Sequence, residues 1–170
     1  MILVGIGSNL PATGFASPLQ TAAAALEALP TAGVRVARRS RWYQSEPVPP
    51  SDQPWYVNAV AIVEAGLPPL RLLEALLALE SRFQRHRGAA NAARTLDLDL
   101  LDHDGLICDG PRLTLPHPRL HQRRFVLAPL AEIAPRWRHP ILGAAADALL
   151  ARLPPGQPVR AIGEPDVLHG

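Results

Sequence analysis

Apolar and polar residues alternate with two different periods along this chain, and the switches between them mark out its elements. Ile2 to Ile6 is a short apolar run leading into Gly5-Ile6-Gly7-Ser8-Asn9, which predicts a buried strand. Gln20 to Leu29 predicts a helix with Thr21 as its cap, closed off by Pro30 and Gly33. Val34 to Tyr43 alternates in part and predicts a second strand with arginines on its wet face; Trp55 to Glu64 predicts a third. Between them, Pro47, Pro49, Pro50, Ser51 and Asp52 make a long exposed loop. Pro68 and Pro69 suit the first turn of a helix, where missing amide donors cost least. Leu72, Leu76, Leu79 and Phe83 then recur at helical spacing, with Leu73 and Leu77 widening the stripe and Glu80 near its edge.

The period returns to two at Thr95-Leu96-Asp97-Leu98-Asp99-Leu100-Leu101. Alternate residues of a strand share a face, so the leucines point one way and Asp97 and Asp99 the other. Asp104-Gly105 predicts a hairpin turn into Leu106-Ile107-Cys108. Leu115-Pro116-His117-Pro118 must be irregular, and Leu120 to Ile133 predicts a helix interrupted near Pro129. Ile141 to Leu153 predicts a last helix, and Pro154 onward a tail. The order β-α-β-β-α-β, with an extension of strand and helix after the fourth strand, predicts an α+β fold with a ferredoxin-like core. A single domain over residues 1–160 is expected, with 161–170 as a flexible tail.

Composition narrows the chemistry. The formal charge of +2 and pI near 9.3 do not by themselves imply nucleic acid. All 17 basic residues are arginine, so a Walker lysine, a Schiff-base lysine and a lysine general base are excluded. Any phosphate clamp must use arginine forks, histidine, backbone amides or metal. With Cys108 alone there is no intrachain disulfide and no cysteine-rich zinc site. The absence of a long apolar stretch and of a leader pattern gives the expectation of a cytoplasmic protein that engages no membrane.

Two carboxylates on one strand face, roughly 6.5–7 Å apart at Cα, can converge on a hard cation or bridge two. Asp97 and Asp99 are therefore read as a magnesium platform, against the alternative of a solvated strand face. Asp102 and Asp104 are assigned to the following turn. Arg82, Arg85, His86, Arg87 and Arg94 form a basic stretch just before that strand. It fits a metal-bound polyphosphate; nucleic-acid binding competes for the same charge but lacks a recognition motif or interleaved aromatics. Gly5-Ile6-Gly7 lacks the third glycine of a dinucleotide fingerprint, which leaves close backbone packing as its role, with Ser8 and Asn9 framing a pocket. Tyr56 and Asn58 share a face and suit a flat heterocycle, or simply an edge aromatic and a capped loop. Phe125 is either a second plate or core, and His117 either a phosphate contact or a structural loop histidine.

Taken together, these stretches resemble the 6-hydroxymethyl-7,8-dihydropterin pyrophosphokinases of folate synthesis. The resemblance is carried by Gly5-Ile6-Gly7-Ser8-Asn9-Leu10, Tyr43-Gln44-Ser45-Glu46-Pro47, Gln53-Pro54-Trp55-Tyr56-Val57-Asn58-Ala59, Arg94-Thr95-Leu96-Asp97-Leu98-Asp99, Leu115-Pro116-His117-Pro118 and Arg123-Arg124-Phe125-Val126-Leu127. It implies transfer of the terminal diphosphate of ATP to the pterin hydroxymethyl group, with AMP released. It also implies two magnesium ions on Asp97 and Asp99, and a pterin ring between Tyr56 and Phe125, read by Asn58 and the backbone near Ser45, with Gly7 in the same pocket. Glu80, Arg85, Arg94, Arg112, His117 and Arg123 would serve the nucleotide and its phosphates, Arg85 and Arg94 taking part in catalysis with the aspartates. The partners implied are ATP and the pterin alone, bound by a monomer. Ala92-Ala93 stands where the family usually has Gly-Pro, Asn91 where it often has an aromatic, and Pro118 replaces a frequent aromatic.

Overall fold

In the computed structural model, which describes residues 1–84 and 93–162, β1 (Ile2–Ser8) is an interior strand of a six-stranded sheet. It pairs antiparallel with β5 (Asp97–His103) on one side and β4 (Tyr56–Glu64) on the other. β4 pairs in turn with β2 (Arg35–Arg39) and β3 (Tyr43–Ser45), and β3 carries β8 (Val159–Ala161) at the edge. α1 (Pro18–Ala28) links β1 to β2, and α2 (Pro69–Arg82) links β4 to β5, each connection stepping over one strand. This is the expected ferredoxin-like α+β arrangement. Among the described residues no helix is long and apolar enough to cross a membrane.

The alternation in each strand divides the molecule into two cores. Ile2, Val4 and Ile6 face α1 and α2 together with Ala59, Ala61 and Val63 of β4 and Leu98 and Leu100 of β5. Leu72, Leu76 and Leu79, at 0–2% exposure, are the stripe that α2 lays on this face. Each such side chain stabilises the fold by roughly 2 kcal/mol. On the opposite face Leu3, Val60 and Leu101 pack against α3 (Arg124–Ile133) and α4 (Ala146–Arg152). Leu101 reaches this face by plain alternation after Leu100, and a bulge follows: Val4 pairs with Leu100 but Leu3 with Asp102, which leaves Leu101 as the extra residue.

Several elements differ from the sequence-based expectation. Helix α1 is capped by Ser17, whose hydroxyl accepts the Gln20 amide at 3.2 Å, with Pro18 in the first turn. Thr21 lies inside the helix, and its hydroxyl takes the Ala12 amide at 3.0 Å. The stretch Val34 to Tyr43 is two strands because Ser40 interrupts it: its hydroxyl, instead of a ladder carbonyl, accepts the Val60 amide at 3.1 Å. Asp104 and Gly105 do turn the chain, at φ 54° and 74°. The residues beyond them do not return to β5, since the Leu101 carbonyl already takes the His117 amide at 2.9 Å. Instead β6 (Cys108–Asp109) pairs with β7 (Thr114–Leu115) as a separate two-stranded sheet.

The break in Leu120 to Ile133 falls at Arg123, between a 3-10 turn over Leu120–Gln122 and α3. Pro129 stays inside α3, where its missing amide leaves out only the bond to the Phe125 carbonyl. Helix α4 begins at Ala146, well after Ile141, because Gly143 takes a left-handed φ of 71° and leaves Ile141 and Leu142 exposed. Nor is Pro154 onward all tail: β8 pairs with β3, and the Ile162 amide bonds the Trp42 carbonyl at 2.7 Å. Asp102, expected in the turn, lies inside β5 and only braces that turn: it is buried, accepting the Gly105 amide at 3.0 Å and the Trp137 indole at 2.8 Å.

Candidate active site

Glycines of β1 floor the cavity. On the α3 face of the sheet, Gly7 stands between Asp97 of β5 and Asn58 of β4, and Gly5 between Asp99 and Val60. A cavity of about 320 Å³ opens above these glycines. A Cβ on Gly7 would meet the Asn58 Oδ1 at 3.1 Å, so the close backbone approach read from the sequence is real and tight. Asp97 and Asp99 form one wall, and Tyr56, Asn58 and Ser45 the opposite end, where the Asn58 amide donates to the Ser45 hydroxyl at 2.6 Å. Phe125 and Val126 of α3 look in from above. α3 is fixed to β3 by Glu132, which accepts the Arg41 amide at 2.8 Å and the Tyr43 hydroxyl.

The acidic wall faces arginine. Arg94 donates to Asp97 at 2.7 Å, and Arg123 lies 4.0 Å from Asp99 with its guanidinium 5.4 Å from the centre of the Phe125 ring. Burial, reinforced by Asp97 and Glu80 and opposed by Arg123 and Arg94, pushes the Asp99 carboxyl up to about 7. Glu80 reaches the back of the same strand from α2; it is 4% exposed and accepts the Leu98 amide at 2.8 Å. Burial, with Arg123 and Arg119 nearby, draws the His117 imidazole down to about 4, so it is neutral at neutral pH. Its Nδ1 faces the Arg119 amide at 3.2 Å, which makes Nδ1 the acceptor and leaves the proton on Nε2.

Of the residues singled out from sequence, Gly7, Ser45, Tyr56, Asn58, Arg94, Asp97, Asp99, Arg123 and Phe125 line this one cavity. Glu80 stands behind it, and His117 beside Arg123. Arg112 is not on its wall: the guanidinium pairs with Glu74 of α2 at 3.0 Å, an anchor that sequence spacing does not reveal. Arg85, with Asn91 and Ala92, lies outside the described residues. Asn9 frames the site from beneath. It is fully buried, accepts the Arg94 amide at 2.7 Å and donates to Gln53 and to the Pro54 carbonyl, both at 3.2 Å. Sequence reasoning missed Arg119, Gln122 and Gln157, which also line the cavity. A second arginine close to Arg123 was the available signal for Arg119; Gln157 had none.

The donor set fits magnesium. Asp97 and Asp99 offer oxygen only, and among the described residues no group of three or more His, Cys, Asp or Glu side chains is placed to hold a metal. A hard cation on two carboxylates would take its remaining ligands from water and phosphate, which is the habit of magnesium.

Comparison with known proteins settles the family. Residues 3–135 match the family described as 7,8-dihydro-6-hydroxymethylpterin-pyrophosphokinase. The chain belongs to this family. It is 43% identical over 141 residues to a 2-amino-4-hydroxy-6-hydroxymethyldihydropteridine pyrophosphokinase of Synechocystis, a match covering 83% of this chain and 70% of that protein. It is 42% identical over 132 residues to the Haemophilus influenzae protein of the same name, covering 77% of this chain and 79% of the relative. Among solved structures, Plasmodium falciparum HPPK-DHPS superimposes with a TM-score of 0.63 at 12% identity, across 89% of this chain and 43% of that one. At that identity the likeness concerns the fold, and the chain spans less than half of the Plasmodium protein.

Proposed function

We propose that this cavity is where the family's reaction takes place, with the roles divided along its length. The chain transfers diphosphate from ATP to 6-hydroxymethyl-7,8-dihydropterin, producing AMP and the pterin diphosphate. The observation that carries the site assignment is the single cavity with paired carboxylates and arginines at one end and a polar, aromatic slot at the other. Asp97 and Asp99 are the ligands of two magnesium ions, which when bound neutralise the ATP phosphates. Arg94 and Arg123 hold the phosphate oxygens the metal leaves exposed; the same role is assigned to Arg85 from its place in the sequence alone, outside the described residues. Glu80 fixes the strand that presents the aspartates through the Leu98 amide.

At the other end Tyr56 and Phe125 take the pterin ring between them, and Asn58, held by Ser45, reads its polar edge. The arrangement places the hydroxymethyl oxygen toward the phosphate chain for in-line displacement, and positioning with charge neutralisation supplies the acceleration. No residue is required to be an unambiguous general base. Every described residue of the site comes from one chain, and the reading is of a monomer. Purified protein, ATP, magnesium and the reduced hydroxymethylpterin should yield AMP and pterin diphosphate in equal amounts. AMP release that proceeds equally well without the pterin would reject this reading in favour of a nucleotide hydrolase.

Two further outcomes follow from the geometry. His117 reaches the phosphates as a neutral Nε2–H donor, so His117→Ala should lower kcat/KM about tenfold. Because its imidazole already sits near 4, the activity profile should show no inflection from His117 around pH 6.5. Such an inflection, lost in the alanine variant, would contradict the assignment. Gly7→Ala should push the Asn58 amide off Ser45 and raise the pterin KM by about tenfold while sparing the ATP KM. Steady-state kinetics with each substrate varied in turn decides this.

A further inference from the structure

The span that matches the family ends at residue 135, yet the cavity is closed by a residue well beyond it. After α4 the chain crosses to the free edge of β3 and pairs Val159 with Ser45 and Arg160 with Gln44. The Glu46 amide bonds the Pro158 carbonyl at 3.3 Å, so the segment continues alongside the wall that Glu46, Pro47 and Val48 form. Gln157 enters the cavity at that point, half-buried. Its Nε2 donates to the Glu46 carbonyl at 2.5 Å.

That bond fixes which way the amide faces. A carbonyl oxygen can only accept, so the nitrogen must lie toward Glu46, and Oε1 is left over. Among the described residues Oε1 accepts no hydrogen bond. An acceptor beside Asn58 and Ser45, in a cavity that Tyr56 and Gln122 also line, suits a planar heterocycle that carries N–H groups along its edge. We propose that Gln157 is a specificity-determining residue of the acceptor site. Its Oε1 accepts an N–H of the bound pterin, and its Nε2 straps the Glu46–Val48 wall to the C-terminal strand. This rests on the placement of the pterin between Tyr56 and Phe125 given above.

Two substitutions separate the contact from the strap. Gln157→Met keeps the length but has neither donor nor acceptor, whereas Gln157→Lys keeps a donor for Glu46 and has no acceptor. Both should raise the pterin KM about 3- to 10-fold, with kcat and the ATP KM within about twofold of the unaltered chain. An unchanged pterin KM in both overturns the proposal. So does a rise with methionine that lysine restores, which would leave only the strap, or a parallel shift in kcat and the ATP KM, which would mean general disorder. Failure of the unaltered chain to release AMP in response to the pterin is a different result, and it overturns the functional reading itself. Thermal melting of each variant, read by circular dichroism, shows that the compared proteins are folded.

Discussion

Replacing either Asp97 or Asp99 with alanine should reduce AMP formation by at least about 10³-fold and leave the fold intact. The two carboxylates stand on one wall of one cavity, and no other described Asp, Glu, His or Cys side chains gather there in numbers that could substitute for them. On the proposed reading, loss of one therefore removes half of the described carboxylates that would hold the metal. It also leaves arginine without its counter-charge: Arg94 loses its 2.7 Å partner in one variant, and Arg123 its 4.0 Å neighbour in the other. Neither change touches the leucines on the other side of β5, so circular dichroism and cooperative melting should be preserved. Near-normal transfer by both variants at saturating magnesium would end the assigned metal role.

The second large effect is on stability, and its sign is opposite. Burial and the neighbouring Asp97 lift the Asp99 carboxyl from an ordinary 3.8 to about 7. A raised folded-state value means that the folded protein holds this proton more tightly than the unfolded chain does. The stabilisation is fully present below pH 3.8 and is lost as pH rises through about 7. The Asp99 side chain retains 31% exposure, which reduces the cost of its ionisation to on the order of 1–3 kcal/mol. Asp99→Asn carries no charge to bury. Relative to the unaltered chain it should gain roughly 3–10 °C in Tm at pH 8 in chelator, with the gain shrinking toward pH 4. Scanning calorimetry across that range tests it, and a gain independent of pH would show that ionisation is not the cause. The variant that melts highest would thus be among those that transfer least, since the burial that penalises the Asp99 carboxylate is what the proposed cation would offset.

Strong periodicity made most of this molecule legible. The apolar stripe of α2 and the leucine–aspartate alternation of β5 each fixed both an element and the face it buries, the apolar run of β4 fixed an element, and the order of elements then fixed the topology. Where a single hydrogen bond decided the outcome, the pattern was silent. Ser40 splits β2 from β3 by taking the Val60 amide, and the His117 amide claims the Leu101 carbonyl that a hairpin partner would have used. At the cavity the same division holds. Asp97, Asp99, Tyr56 and Asn58 could be placed because strand alternation sets their direction. Arg112 could not, because its pairing with Glu74 depends on where a loop lands, and neither could Gln157, which arrives from a strand of three residues at the far end of the chain.

The alternation of β5 also limits how this protein can change. One face of the strand lines the cavity and the other faces α2, so a single inserted residue ahead of Asp97 would exchange the two. Leu98 would then project into the cavity, while a carboxylate would be driven into the leucines of α2. Insertions in the run from Arg94 to Asp99 should therefore be lost to evolution as unfolded proteins before they are ever tested as poor enzymes, whereas length changes in the loop at Pro49–Asp52 carry no such double penalty.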